Sequence, residues 1–319
     1  MAGKKKRPLV VALISLFLVA AVVVVAFGIW FWQSPLAIYE SATRRTLAKI
    51  GLEKKELETE AGTLVYWEGG EGPTLVLVHG AGHQAGAWSE VGKGLVDRYR
   101  LVVLDLPGHG ESAPSDGPLS MATLYSGLQA VLDSEIVQEP PTLVGNSLGA
   151  WLGMIYAHRN PDGLMRLVAV NGGAVQNDPG DLNLLPATRA EARHLVNGLR
   201  DPSSEFIPNF VLDDLVEQSA DGPVARMMLD LAGMHEYVLN ERIAEITTPV
   251  DLLWGESDQF MDMEYADAMD RMLPRSRLTH IDSCGHIPHT ECPDRFLEVF
   301  SHVLEIGPPR LPVEPDKEE

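Results

Sequence analysis

The sequence predicts an α/β domain built on a mostly parallel β-sheet, with helices on both faces and an inserted helical cap. Three observations predict it: short Val- and Leu-rich runs recur along residues 60–306, helical patterns separate them, and residues 175–246 contain helical patterns without a convincing strand. Unbroken apolar runs are typical of strands buried on both faces of a parallel sheet. Their alternation with helical patterns favours that architecture over an all-β or all-α fold.

The apolar runs predict the individual strands. They lie at residues 63–67, 74–78, 101–104, 142–144, 167–170, 250–254 and 277–281. Helical spacing predicts helices between them, including 119–137 and 148–158. The last helix has the clearest pattern, because the apolar residues of 296–304 recur at i, i+3, i+4, i+7 and i+8 behind Pro293.

These elements divide the chain into segments. The core is predicted over 60–174 and 247–306, and the cap over 175–246 separates its two parts. The tail, 307–319, is Pro-rich and acidic, which predicts disorder. Residues 33–59 are predicted to be a juxtamembrane helix and linker. This helix could pack on the domain or rest on a membrane surface as a basic amphipathic helix, and the pattern leaves both open.

A basic segment, residues 1–8, precedes an uncharged run at 9–32 that is long enough to cross a bilayer. We predict an uncleaved membrane anchor, because the apolar core of a signal peptide is shorter. The competing interpretation is a cleaved signal peptide with its site near 26–28. The leading basic cluster predicts a cytoplasmic N-terminus and an extracytoplasmic domain, which is periplasmic in a Gram-negative cell.

Charge is distributed unevenly along the chain. Residues 1–55 contribute +7 to the net charge of −20, so the remainder carries −27. Such an acidic body repels nucleic acid, disfavours polyanionic substrates and favours a soluble monomer. Cys284 and Cys292 have no zinc-site spacing and could form a disulfide or remain free thiols.

The pentapeptide Gly145-Asn146-Ser147-Leu148-Gly149 follows one predicted strand and precedes a helix. A nucleophile on such a tight turn needs small residues two positions before and after it, and both positions are glycine here. The following helix would direct its first N–H groups at a developing oxyanion. The pentapeptide alone leaves two interpretations open, a nucleophile at Ser147 and a chance match at an ordinary serine, and the residues that would act with the serine decide between them.

A serine nucleophile needs a histidine base, and the histidine needs a carboxylate that fixes its tautomer. Asp258 follows the predicted strand 250–254, and His286 follows the strand 277–281. Loops at the carboxyl ends of parallel strands meet at one edge of the sheet. We therefore predict a triad of Ser147, Asp258 and His286.

With these motifs, the chain resembles the α/β-hydrolase family from about residue 60 to 305. Besides the serine motif and the two partners, residues 78–82 (VHGAG) resemble the family's oxyanion loop, 105–112 (DLPGHGES) the turn after its next strand, and 285–291 (GHIPHTE) its histidine loop. The resemblance implies an oxyanion hole formed by the backbone N–H groups of Ala81 and Leu148. It also implies a reaction that needs neither a metal nor an organic cofactor.

Other residues compete for these roles. Glu256 is an alternative acid, and His289 is an alternative base that we expect to form hydrogen bonds within its loop. His79 and His109 are expected to tie loops together through backbone hydrogen bonds. The remaining histidines are interpreted as surface or packing residues: His83, His158, His194, His235, His280 and His302. Five methionines could line an apolar pocket or fill core gaps: Met227, Met228, Met234, Met261 and Met263.

The anchor, the cap and the Cys284-Gly285-His286 loop together resemble membrane-bound monoacylglycerol lipase-like members of the family. This resemblance implies a serine carboxylester hydrolase that acts on a neutral, lipid-like ester. The alternative is a C–C bond hydrolase of ring-fission products, because Gly-Asn-Ser-Leu-Gly resembles that branch too. A third possibility, from another class, is a non-catalytic binding module on the same fold.

Overall fold

The computed structural model describes residues 6–178 and 180–310, and in the first helix it describes the side chains of residues 11–23, 28 and 32 only. The strands are β1 Glu53–Thr59, β2 Gly62–Gly69, β3 Thr74–Val78, β4 Arg100–Leu104, β5 Thr142–Asn146, β6 Arg166–Val170, β7 Val250–Gly255 and β8 Ser276–Ile281. The helices are α1 Lys6–Gln33, α2 Pro35–Lys49, α3 Ser89–Leu95, α4 Met121–Leu132, α5 Leu148–Arg159, α6 Arg189–Gly198, α7 Asn209–Ser219, α8 Pro223–Met228, α9 Leu231–His235, α10 Met263–Met272, α11 Pro288–Glu291 and α12 Pro293–Glu305. Two 3₁₀ helices, Ala85–Trp88 and Asn240–Glu245, complete the elements.

The eight strands form one sheet in the order β1-β2-β4-β3-β5-β6-β7-β8. The ladders β1–β2 and β2–β4 are antiparallel, and the ladders from β4 to β8 are parallel. The chain leaves β3 towards β4 on one side and later adds β5 on the other. The sheet therefore has a topological switch point between β3 and β5, where ligands bind in open α/β sheets.

Alternate residues of the central strands supply two separate cores. In β3, Val76 and Val78 pack on one face of the sheet, whereas Leu75 and Leu77 pack on the other. Side chains of α4, α5 and α10 cover the first face, and those of α3 and α12 cover the second. Helices thus cover both faces of a mostly parallel sheet, as the strand–helix alternation predicts.

The sequence pattern missed β1. Residues 53–59 were assigned to the linker 33–59, but they pair antiparallel with β2 along their whole length. Five of the seven β1 residues are charged, and most of the strand is exposed at the sheet edge. An edge strand that buries little apolar surface lacks the Val/Leu run by which the inner strands are recognised.

The cap contains four short helices, α6 to α9, and the second 3₁₀ helix, with no strand among its described residues. Thr188 caps the start of α6: its Oγ1 accepts the N–H of Glu191 at 3.2 Å, while Glu191 Oε2 accepts the N–H of Ala187, the residue before the cap, at 2.8 Å. Arg226 joins α8 to the core by donating to the carbonyls of Gly108, Pro114, Asp116 and Gly117. These bonds fix the cap over the loop that follows β4.

Helix α1 covers the run in which the sequence predicts an anchor, 9–32. Within the part of the chain that the structure describes, no helix is long and apolar enough to cross a membrane. The predicted basic tail, 1–8, and disordered tail, 307–319, lie mostly outside the described residues, which cover only 6–8 and 307–310 of them.

Helix α2 packs on the domain, which is one of the two arrangements that the sequence left open. Leu47 is completely buried with the core residues under α3 and α12. At the other end of the helix, the N–H of Leu36 donates to Asp214 Oδ2 of α7 at 2.8 Å. The helix therefore touches both core and cap.

Candidate active site

The loops that follow β3 and β5 meet at the switch point of the sheet. Ser147 directly follows β5 and precedes α5, while Gly80 and Ala81 follow β3 by two and three residues. A Cβ placed on Gly80 would lie 3.1 Å from Ser147 Cβ and 2.9 Å from Asn146 Oδ1. The structure thus brings the predicted nucleophile next to the predicted oxyanion loop.

Ser147 has backbone angles that a residue with a side chain rarely adopts. Its φ is 50° and its ψ is −111°, and its N–H donates to the carbonyl of Val170 at 3.0 Å. Such strain costs on the order of 1–3 kcal/mol and persists only where the surroundings enforce it. The strain fits a side chain that is turned out of the sheet for chemistry.

Three glycines make this turn possible. A Cβ on Gly145 would lie 2.3 Å from the backbone carbon of Gly149, and one on Gly149 would lie 2.5 Å from the carbonyl oxygen of Val78. A Cβ on Gly172 would lie 2.5 Å from Ser147 Cα. The first two belong to the motif, whereas the requirement at Gly172 appears only when β6 is placed beside β5.

The structure also brings together Asp258 and His286. His286 Nδ1 lies 2.7 Å from Asp258 Oδ2, and both residues are buried, with exposures of 5% and 3%. The other carboxylate oxygen, Oδ1, accepts the N–H groups of Phe260 at 2.9 Å and Met261 at 3.0 Å. A carboxylate that two backbone N–H groups hold in place can orient the imidazole and keep its Nε2 available to accept a proton.

Two asparagines that the sequence did not single out connect these groups. Asn171 is fully buried; its Nδ2 donates to Asp258 Oδ2 at 2.9 Å, and its Oδ1 accepts the N–H of Gly255 at 2.9 Å. Asn146 Nδ2 donates to the carbonyl of His286 at 2.9 Å. Asn171 follows β6 in the same way as the triad candidates follow their strands. This position in the sequence was the feature from which a role at the site could have been predicted.

Other hydrogen bonds are absent from the site. In the described chain, none joins Ser147 Oγ to His286, and none is donated by the backbone N–H of Ala81 or Leu148. Catalytic hydrogen bonds are often long in proteins without a ligand, so the missing serine–histidine bond does not exclude the pair. Two unused N–H groups beside Ser147 can stabilise an oxyanion.

Of the two histidines expected to tie loops together, His79 does so, whereas the ring of His109 contacts a carbonyl of its own loop. His79 Nδ1 lies 2.7 Å from the carbonyl of Gly80, and its Nε2 accepts the N–H of Leu106 at 3.0 Å. His109 Nδ1 lies 3.0 Å from the carbonyl of Pro107. Burial lowers the pKa of His79 well below its ordinary value and that of His109 to about 4, so both are neutral.

His83, interpreted from the sequence as a surface or packing residue, lies beside the site. Burial, and secondarily the proximity of His286, lowers the pKa of His83 to about 4. A neutral ring here adds no positive charge to a protonated His286. The oxyanion loop motif contains no signal for this residue, because His83 lies one position beyond it.

Two rivals for catalytic roles have other contacts. Glu256 Oε1 lies 2.9 Å from His280 Nδ1 and not beside His286. His289 was expected to form hydrogen bonds within its loop, but that expectation is wrong. Its ring stacks on Trp88 at a centroid distance of 4.1 Å, and within the described structure neither ring nitrogen has a hydrogen-bond partner.

We expect His289→Phe to stabilise the protein, and to do so more strongly in acid. Burial holds the pKa of His289 well below its ordinary value, so the folded protein keeps the ring neutral. The unfolded chain binds a proton below about pH 6.5, so this histidine costs stability as the pH falls through that value. The advantage of the variant should therefore be about 1.4 kcal/mol larger at pH 5.5 than at pH 8.

Urea titrations at both pH values measure this difference. His302→Gln is the matched control, because it removes a histidine whose ring is exposed on α12. An equal gain for His289→Phe at pH 5.5 and pH 8 would contradict the assignment of a neutral buried ring.

The histidine loop is closed by a disulfide, which the sequence left open. Cys284 and Cys292 are bonded across eight positions, with His286 between them. The loop also contacts the cap, because the N–H of His286 donates to the carbonyl of Leu199 at 2.8 Å. The candidate base is thus restrained on both sides.

Two apolar side chains, Phe260 and Val224, lie at the site. The ring of Phe260 lies edge-on to His286, with centroids 5.1 Å apart. A Cβ on Gly82 would lie 3.3 Å from Val224 Cγ2 of α8, so the cap touches the oxyanion loop. Of the five methionines, Met227 is buried in the core, and three others pack against it: Met234, Met261 and Met263. Among the described residues, no group of three or more His, Cys, Asp or Glu could hold a metal ion.

Several known proteins are similar to this chain in sequence or in fold. The chain is 28% identical to 2-hydroxy-6-oxononadienedioate/2-hydroxy-6-oxononatrienedioate hydrolase of Cupriavidus pinatubonensis, over 78% of this chain and 91% of the relative. It is 24% identical to monoacylglycerol lipase ABHD6 of Mus musculus, over 91% and 95%. A crystal structure of a bacterial membrane phospholipase A superposes with a TM-score of 0.73 at 23% identity, covering 92% of this chain and 97% of that one. Residues 75–299 match the model of the alpha/beta hydrolase family, and the chain therefore belongs to that family.

Proposed function

We propose that this protein is a serine carboxylester hydrolase that cleaves a neutral lipid ester. The observation that carries the proposal is the buried Asp258–His286 pair at the sheet edge where Ser147 occupies a strained turn. Family membership makes the protein a hydrolase. The residues that meet at this edge can supply a nucleophile, its base and the carboxylate that orients the base, and the choice of an ester as substrate rests on the surroundings of the site.

In the proposed mechanism, His286 Nε2 accepts the proton of Ser147 as Oγ attacks the ester carbonyl. Asp258 keeps the other nitrogen protonated and stabilises the imidazolium that forms. The N–H groups of Ala81 and Leu148 donate to the oxyanion of the tetrahedral intermediate. His286 then protonates the leaving alcohol, and a water molecule, activated by His286, releases the acid from the acyl-enzyme.

The neutral substrate is inferred from the surroundings of the site. Phe260 and Val224 present apolar groups near His286 and the oxyanion loop. Arg226 of the cap is buried, and its guanidinium already donates to four backbone carbonyls, so it is not available to pair with an anionic substrate. Apolar groups at the site of a strongly acidic protein favour an uncharged acyl chain over an anion. The similarity to a monoacylglycerol lipase supports the same choice.

The second candidate is C–C bond hydrolysis, which is favoured by the similarity to the hydrolase of Cupriavidus pinatubonensis. That relative acts on dicarboxylates, as its name states. A dianion would have to approach a body that carries −27 by the count of its residues. Both reactions could use the same three residues, so the substrate rather than the triad separates the candidates.

A panel of p-nitrophenyl esters with acyl chains of increasing length tests the proposal. We expect turnover to peak at a medium or long chain, and Ser147→Ala to lower it at least about 10³-fold. A ring-fission dicarboxylate should be hydrolysed much more slowly than the best ester. Serine-dependent cleavage of the dicarboxylate without turnover of any ester would favour the second candidate, and no turnover of either would refute both.

We also propose that the N-terminal helix attaches the protein to a membrane, with the catalytic domain on the extracytoplasmic side. The apolar run at 9–32 and the exposed apolar side chains between Val11 and Val23 support attachment. The disulfide supports an oxidising compartment. Alkaline extraction should leave the protein in the membrane fraction, and protease added outside the cytoplasm should cleave the domain. Release by alkali would contradict attachment to the membrane. Protection from the protease would contradict the extracytoplasmic position of the domain.

A further inference from the structure

We propose that Thr43 of α2 is a positioning residue for the oxyanion loop, residues 79–84. This inference rests on the proposed function, because it assigns the loop its role in catalysis. Thr43 lies outside residues 75–299, which match the family model, so the support comes from an element added to the hydrolase domain.

Helix α2 is bonded tightly enough to serve as a support. Leu47 is completely buried, and the N–H of Leu36 donates to the buried carboxylate of Asp214 on the cap. In the middle of the helix, a Cβ on Gly86 would lie 2.4 Å from Thr43 Oγ1. The backbone of the 3₁₀ helix after the oxyanion loop therefore lies directly against the Thr43 hydroxyl.

The Thr43 hydroxyl connects this helix to the oxyanion loop. Its O–H donates to the carbonyl of Glu40 at 2.9 Å, and its oxygen accepts Gln84 Nε2 at 3.1 Å. Gln84 Oε1 in turn accepts the N–H of Gly86 at 2.7 Å. The direction of each of these three hydrogen bonds is defined. The Thr43 hydroxyl acts as a donor and as an acceptor at the same time.

Gln84 is the last residue of the loop and is 3% exposed. Three residues before it, Ala81 offers one of the two unused N–H groups beside Ser147. The N–H of His83 closes the intervening turn by donating to the carbonyl of Gly80 at 3.2 Å, and the N–H of Ala85 donates to Asp105 Oδ1 at 2.6 Å. The Thr43–Gln84 bond is thus the contact through which α2 fixes the end of this turn.

Loss of the Thr43 acceptor would leave a buried amide N–H unpaired, and the loop would shift to satisfy it. An oxyanion-hole donor contributes fully only at hydrogen-bond distance from the developing charge, and its removal lowers kcat about 10²–10³-fold. Displacement costs less than removal, so Thr43→Val should lower kcat by about tenfold. KM should stay within about twofold, because the donor acts on the transition state.

Three variants of the full-length chain test this role. Thr43→Val removes both bonds, and Thr43→Ser retains both and should restore kcat. Thr46→Val is the matched control, because Thr46 lies on the same helix and its hydroxyl donates only to the carbonyl of Ala42. We would measure kcat and KM with the p-nitrophenyl ester that is turned over fastest and subtract the rate of Ser147→Ala. The melting temperature of each variant would be measured as well.

Hydrogen exchange of the peptide that spans 79–88 gives a readout independent of activity. It should become faster in Thr43→Val than in Thr46→Val, and Thr43→Ser should behave as the parent. Equal kcat and equal exchange rates in Thr43→Val and Thr46→Val would overturn the inference. It would also be overturned if both valine variants lost kcat in proportion to a fall in their melting temperature. A parent without serine-dependent turnover would refute the proposed function, while the exchange data would still decide whether Thr43 holds the loop.

Discussion

Replacing Asp258 with asparagine is expected to lower kcat on esters by about 10⁴-fold while leaving the fold intact. The hydrogen bonds from Phe260 N–H and Met261 N–H require an oxygen at the Oδ1 position. The new amide nitrogen would therefore take the place of Oδ2, because only one donor, Asn171 Nδ2, opposes it there, and it would donate towards His286 Nδ1. The imidazole would have to carry its proton on Nε2, where it cannot accept the proton of Ser147.

Glu256→Gln is the matched control, because it makes the same chemical change two residues away, on the carboxylate that contacts His280. We expect it to retain parental kcat. Steady-state kinetics, with circular dichroism to verify the fold, measure both variants. A loss below about tenfold for Asp258→Asn, or a larger loss for Glu256→Gln, would remove Asp258 from the proposed triad.

Replacing Asp251 with asparagine is expected to destabilise the protein by about 3–5 kcal/mol, because it leaves the buried guanidinium of Arg166 and the partly exposed guanidinium of Arg277 without their counter-ion. Asp251 is fully buried on β7; its Oδ2 lies 2.9 Å from Arg166 Nη1, and its Oδ1 contacts Arg277 Nη2. Arg166 also donates to the carbonyl of Val303, and Arg277 to that of Gly307. The carboxylate thus connects three strands to the end of the last helix.

Thermal melting should show a fall in Tm on the order of 10 °C for this variant. Asp213→Asn is the control, because it breaks an ion pair with Arg189 that is exposed, and such pairs contribute about 1 kcal/mol or less. If Tm falls equally in the two variants, burial does not make the Asp251 ion pairs contribute more to stability than an exposed ion pair.

Much of the fold follows from local patterns in the sequence. The inner strands were predicted because strands buried on both faces must be apolar at every position, as in Leu143-Val144 and Leu167-Val168. The exposed strand β1 has no such requirement, and its charged sequence predicts a linker instead. Its place in the sheet depends on pairing with β2, which local pattern does not reveal.

The candidate site divides in the same way. Ser147, Asp258 and His286 could be proposed from the sequence because each follows a recognisable strand in the expected order. Asn171 has no motif, and its role depends on a hydrogen bond to Asp258 across 87 positions. The stacking of His289 on Trp88 and the contact of Thr43 with Gln84 likewise join distant segments.

The sequence by itself therefore determined the α/β architecture, the order of the motifs and the glycines around Ser147, since these depend on burial period and local backbone geometry. Only the tertiary structure decided that α2 packs on the domain, that Cys284 and Cys292 are bonded, and which histidines are buried without a charge. The physical reason is that a contact between distant segments leaves no periodic trace in either segment, whereas burial of a strand or helix face does.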